Sequence, residues 1–182
     1  MIDPLFEPVP DFDQPIAVLK HCHDRIRKQI RTMQNLVAHL PQHGADLPAK
    51  QGANAVLRYF EKAAPQHHAD EEEDLFPMLQ GAVDDIDAAL LAQLLPQIMR
   101  EHVQMAHAWQ ILEQQLKSIA AGESALLSAE DVRHFAELYA AHMEKEETQI
   151  APMAMRVLSA AQMSQLGNAM SARRGIAAKM GR

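Results

Sequence analysis

His67-His68-Ala69-Asp70-Glu71-Glu72-Glu73-Asp74-Leu75-Phe76-Pro77 and its echo, His142-Met143-Glu144-Lys145-Glu146-Glu147-Thr148-Gln149-Ile150-Ala151-Pro152, decide how the rest of the chain is read. In both, a histidine stands four residues before a glutamate and ten before a proline. Residues four apart lie one above the other on one face of an α-helix. Each copy therefore offers an imidazole nitrogen and a carboxylate to one point in space. Two such helices facing each other supply two histidines and two carboxylates, a set suited to a pair of first-row metal ions.

Working outward, the flanking residues continue the same helical faces. The second copy is preceded by Val132, Phe135 and Tyr139 and followed by Gln149 or Ile150 and by Met153. The first sits on a seam of Leu57, Phe60, Ala64, His67, Glu71, Leu75 and Met78. Two further segments show apolar steps of three and four, each interrupted by one histidine. One runs Ile16, Leu19, His23, Ile26, Ile30, Met33, Val37, Leu40. The other runs Leu91, Leu95, Ile98, His102, Met105, Trp109, Leu112, Leu116, Ile119. Gly44 and Gly122 mark helix ends, and Ser128-Ala129-Glu130-Asp131 reads as a capped helix start. A loop is expected through Pro48, and Pro65 is expected to kink or divide the second helix. Pro77 helps to end that helix, and Pro96 marks a kink or a late start in the third.

The predicted fold is all-α, an up-down-up-down four-helix bundle over residues 16–155. An extended arm over 1–15, broken by Pro4, Pro8, Pro10 and Pro15, precedes it. A helical tail over 156–182, with a short fifth helix outside the bundle and a basic end, follows. Composition agrees. Aromatic residues make up 4% of the 182 and glycines number 7, which disfavours sheet. A net charge of -7 argues against nucleic-acid or anionic-membrane partners. One cysteine, Cys22, excludes an internal disulfide framework and suits a reducing compartment. With no apolar run long enough to span a bilayer and an acidic, proline-broken start, a cytoplasmic location is expected.

Four helices thus each place one histidine on the inward seam: His23, His67, His102 and His142. Two add a glutamate one turn later, Glu71 and Glu146. Singly, each histidine reads most simply as a hydrogen-bonded core residue, and the acidic run Asp70 to Asp74 as a solvated face. Together they do not, because a buried carboxylate is costly unless compensated and both stack on a histidine. His21, His39, His43, His68, His107 and His134 are assigned to surface or outer-sphere positions, Cys22 to a buried thiol without a duty, and Trp109 to packing.

The segments His67-x-x-x-Glu71-Glu72-x-x-Leu75-Phe76-Pro77 and His142-x-x-x-Glu146-Glu147-x-x-Ile150-Ala151-Pro152, with His23-Asp24-Arg25-Ile26 and Glu101-His102, resemble the signature of hemerythrin-like (HHE cation-binding) domains. The resemblance implies a non-haem centre of two Fe ions, oxo- or hydroxo-bridged, with Zn or Mn as substitutes. It also implies His23, His67, His102 and His142 as terminal ligands and Glu71 and Glu146 as bridges. Oxygen-carrying hemerythrins have a fifth histidine one turn after the third-helix ligand; here that position is Ala106. The four-histidine, two-glutamate set resembles instead bacterial di-iron proteins of iron–sulfur cluster repair and nitric oxide response.

Three functional classes follow. The first is a non-catalytic di-iron protein that binds or senses a diatomic ligand, O2 or NO, or holds iron. The second is a di-iron enzyme or an iron donor in cluster repair, for which Tyr139 is the candidate proton donor. The third is a zinc-bound interaction module. No motif names a protein partner.

Overall fold

A computed structural model describes residues 11–176. Most of the predicted N-terminal arm, and Lys179 and Arg182 of the basic end, lie outside that span. Among the described residues there is no strand, and the chain forms five helices.

Helix α1, Pro15–His43, begins with proline in its first turn, where the missing N–H has no helical partner in any case. It ends at Gly44, whose φ of 65° lets its N–H turn back to the Leu40 carbonyl at 2.9 Å. The next helix starts earlier than expected. Asp46 caps it by accepting from the Ala49 N–H at 2.9 Å, and Pro48 falls in the permissive first turn rather than in a loop.

This helix, α2, then runs without a break over residues 47–82. It is α-helical over Leu47–Arg58, Ala64–Ala69 and Phe76–Ala82 and widens into π-turns at Tyr59–Ala63 and Asp70–Leu75. Neither Pro65 nor Pro77 ends it. Each follows a π-turn, and the residue before it donates to the carbonyl five back: Ala64 to Tyr59, Phe76 to Glu71. A proline ring in a regular helix meets the carbonyl four back, and the wider turn relieves that contact.

Helix α3, Asp85–Ala121, is capped by Asp84, whose carboxylate accepts from the Ile86 and Asp87 N–H groups. It passes through Pro96 and stops at Gly122, φ 81°. Helix α4 covers residues 129–157, α-helical over Ala129–Lys145 and Ala151–Val157 around a π-turn at Glu146–Ile150 that again precedes a proline, Pro152. Ser128 caps it as expected, accepting from the Asp131 N–H at 3.1 Å. Helix α5, Ala160–Arg173, opens on a reciprocal Ser159–Gln162 capping box.

Helix α1 packs on α2, α2 on α3, α3 on α4 and α4 back on α1, and short connections make successive neighbours antiparallel. Helix α5 lies outside this ring, against α1 and the second π-turn of α2. The predicted seams are buried nearly throughout; Ile16, Val37, Met78, Leu95 and Trp109 are only half-buried, and Ile150 rather than Gln149 faces inward. The interior divides in two. One apolar cluster includes Ile26, Ile30, Phe60, Met105, Leu112, Phe135 and Met143. The other includes Leu19, Leu75, Phe76, Ile98, Ile150, Met153 and Leu166. A layer of buried histidines and carboxylates separates them.

Candidate metal centre

All six predicted site residues lie in that layer. His23, His67, Glu71, His102, His142 and Glu146 are each at most 5% exposed. Their donor atoms form two groups, His23–His67–Glu71–Glu146 and Glu71–His102–His142–Glu146, each with its atoms within 4.8 Å of one another. The two glutamates belong to both groups. Glu146 Oε2 lies 3.1 Å from His23 Nε2 and 3.3 Å from His142 Nε2. Glu71 reaches His67 Nε2 with Oε1 at 3.2 Å and His102 Nε2 with Oε2 at 3.5 Å. Each carboxylate therefore spans from one histidine pair to the other, the disposition a bridging ligand requires.

Behind three of the histidines stands a second carboxylate. His23 Nδ1 meets Glu147 at 2.9 Å, His102 Nδ1 meets Glu72 at 2.5 Å, and His142 Nδ1 meets Glu101 at 3.3 Å. A carboxylate only accepts, so each Nδ1 carries a proton and each Nε2 is turned toward the centre. Arg27 in turn grips both oxygens of Glu147 at 2.9 Å, and Lys145 holds Glu101 at 2.6 Å. Such outer partners orient metal-binding imidazoles and raise their basicity. In both motif copies the second glutamate of the pair serves a histidine on a neighbouring helix: Glu72 of α2 backs His102 of α3, and Glu147 of α4 backs His23 of α1.

The electrostatics are those of a donor set without its cation. Burial, then the nearby Glu146 charge, pushes the Glu71 carboxyl well above its usual range. Burial pushes Glu146 the same way, but the facing His142 and His23 outweigh it and hold Glu146 well below. Burial pulls His142 down, yet Glu146 and Glu101 outweigh that and leave it at about 9. His67, desolvated and beside His23, is driven well below the ordinary imidazole value. Four of the buried atoms find no hydrogen-bond partner: both ring nitrogens of His67, Glu71 Oε2 and Glu146 Oε1. Buried polar atoms are rarely left so. The donor set, nitrogen and oxygen atoms turned inward and several of them left without hydrogen-bond partners, fits metal cations.

A pocket of about 520 Å³ opens onto one side of this layer, reaching His23, Glu71 and Glu146 between walls that include Leu19, Leu75 and Ile150. Lys20 and Thr148, both exposed, line its outer part.

The outer carboxylates are what the sequence reading missed. The acidic run is not simply a solvated face: Asp70 is fully buried, and its carboxylate takes Arg173 Nη1 at 2.5 Å and Arg174 Nη2 at 2.6 Å. His68, expected at a surface or outer-sphere position, is half-buried, and its ring stacks on His102 with centroids 4.0 Å apart. The repeated Glu-Glu doublet was the available signal for Glu72 and Glu147. Tyr139 is buried beside the layer, ring centroids 6.5 Å from His142, and burial raises its hydroxyl far above the usual range. Cys22 is a buried thiol raised by desolvation, its backbone carbonyl accepting from Tyr59. Trp109 packs on Phe60 and Phe135.

Comparison with known proteins agrees with this geometry. The Hemerythrin HHE cation binding domain family matches residues 4–154. An uncharacterized protein of Haemophilus influenzae (strain ATCC 51907 / DSM 11121 / KW20 / Rd) is 27% identical over 165 residues, covering 91% of this chain and 92% of that protein. The chain belongs to the hemerythrin HHE cation-binding family.

Proposed function

We propose that this member of the hemerythrin HHE family holds two iron ions, through His23, His67, His102 and His142 as terminal ligands and Glu71 and Glu146 as bridges, and uses them to bind or sense O2 or NO or to hold iron. One observation carries the reading: two buried donor groups that share both of their carboxylates. Two ions held by separate sites would not need that sharing. Bound iron would supply a redox-active centre with positions open to a diatomic ligand. The chain's own contribution is to aim each Nε2 at the ions by holding Nδ1–H on Glu147, Glu72 and Glu101. It also brackets the polar layer with two dry cores and leaves a pocket with largely apolar walls, open to the layer at His23, Glu71 and Glu146, that admits a small uncharged ligand.

The size of that pocket favours a second reading. About 520 Å³ exceeds what a diatomic molecule fills, so a di-iron enzyme acting on a larger apolar substrate, or on NO or peroxide, is the alternative. Elemental analysis of protein purified without added metal, with visible spectra before and after reduction and exposure to oxygen, tests both. About two irons per chain with a reversible spectrum supports the binder. Turnover of NO or peroxide beyond one equivalent per site supports the enzyme. Zinc, or no retained metal, removes both.

A further inference from the structure

His68 is the one histidine near the layer to which the reading above gives no duty. It follows the ligand His67 in sequence, so on a regular helix it should point about 100° away. It meets the cluster all the same, because the neighbouring helix α3 lays the His102 ring against it. Its ring lies 4.0 Å from that of His102 at 11° to its plane, and 6.0 Å from that of His142. Its Nε2 is buried and has no hydrogen-bond partner. A donor atom each from His68, His102 and His142 falls within 4.8 Å of the others.

Resting on the di-iron reading, we propose that His68 is a seventh protein ligand, the third imidazole of the ion held by His102 and His142. The chemistry favours it over a packing role. An imidazole kept only to stack on His102 would have no reason to bury an unpaired ring nitrogen, since a phenyl ring stacks without that cost. A metal ion lies near the plane of each imidazole that binds it, so His68 must turn out of its parallel stack on binding. The two positions then differ. One takes three imidazoles, from His68, His102 and His142; the other takes two, from His23 and His67, and faces the pocket. The third imidazole comes from α2, because the α3 position one turn after His102 is Ala106.

The test compares the wild-type chain with His68→Phe, which keeps a flat ring and removes the nitrogens, and with His68→Ala as a second probe. Each is loaded with Co(II), and the solvent-exchangeable imidazole N–H resonances shifted by the paramagnetic ions are counted. Circular dichroism establishes that each variant folds. Five such resonances in the wild type and four in a folded variant support the proposal, as does a faster loss of one of the two ions to a chelator, about 10- to 100-fold. An unchanged count in both variants overturns it, whatever the retention, and leaves the six-ligand pair standing. A wild-type chain that binds no ion pair overturns both.

Discussion

Glu72 and Glu147 show how much a single carboxylate can decide without touching a metal. Each fixes the tautomer of an imidazole on another helix, and Glu147 is itself pinned by Arg27. Replacing either by glutamine removes the charge while keeping the shape. Glu72→Gln and Glu147→Gln are expected to weaken metal binding about 10- to 100-fold with helix content unchanged, whereas Glu144→Gln, on the exposed face of α4, should do neither. Competition with a chelator of known affinity measures this. A second expectation concerns protons. Without metal, His142 lies at about 9, so its ring holds a second proton at neutral pH that a cation must displace. Burial beside Glu146 holds the Glu71 carboxyl well above its usual range, which favours its protonated form. The sign follows: affinity falls as pH drops and rises as pH approaches 9. Calorimetric titration in buffers of different ionisation enthalpy should register proton release near pH 7, and no release would contradict these protonation states. The six inward residues were legible because their period matches a helix. Their outer partners were not, since Glu72 and Glu147 lie off the seam and acquire a role only when a neighbouring helix crosses beside them.

Among the elements, the prolines taught the most. Pro65, Pro77 and Pro152 each look like a helix break, and each instead follows a π-turn within an unbroken helix. Two of those turns coincide with the ligand segments, Asp70–Leu75 and Glu146–Ile150. Hydrophobic periodicity does not foresee them, because one extra residue in a turn leaves the local pattern almost intact. Pro152→Ala permits the regular α-helical bond that proline forbids, and the turn should lose its hold on the register of Glu146. The expected outcome is weaker metal retention with undiminished helicity; retention equal to wild type would show that tertiary packing alone sets the π-turn. Helix α5 offers a sharper case. Gly167 packs so closely on the segment before α1 that an added Cβ would stand 1.9 Å from the Phe12 carbonyl oxygen. Alanine is the better helix former by about 1 kcal/mol, but a backbone atom cannot yield as a side chain does. Gly167→Ala is therefore expected to destabilise the fold by about 1–3 kcal/mol, read as a lower midpoint in urea. A rise would mean that α5 does not dock this closely.

For the molecule as a whole, the polar layer sets function against stability. Four imidazoles and two carboxylates divide what would otherwise be one apolar core, and four of their atoms lack partners in the metal-free chain. Buried groups of this kind favour folding only when their cation is present, because the folded chain presents the donor set assembled and the unfolded chain does not. Free metal at about a hundred times its dissociation constant adds about 2.7 kcal/mol, which for a domain of this size is a rise of roughly 5–10 °C in Tm. Removing metal should reverse that shift, and adding it back should restore it. The double substitution Glu71→Leu and Glu146→Leu separates the two demands. It joins the apolar clusters across the layer and removes both shared carboxylates, so the chain without metal should melt no lower than the metal-free wild type while losing the metal-dependent rise. Scanning calorimetry of both proteins, with and without iron(II) under anaerobic conditions, decides it. A metal-dependent rise that survives in the double variant would show that the cation is held elsewhere, and the layer between the two cores would then owe its histidines and carboxylates to something other than metal.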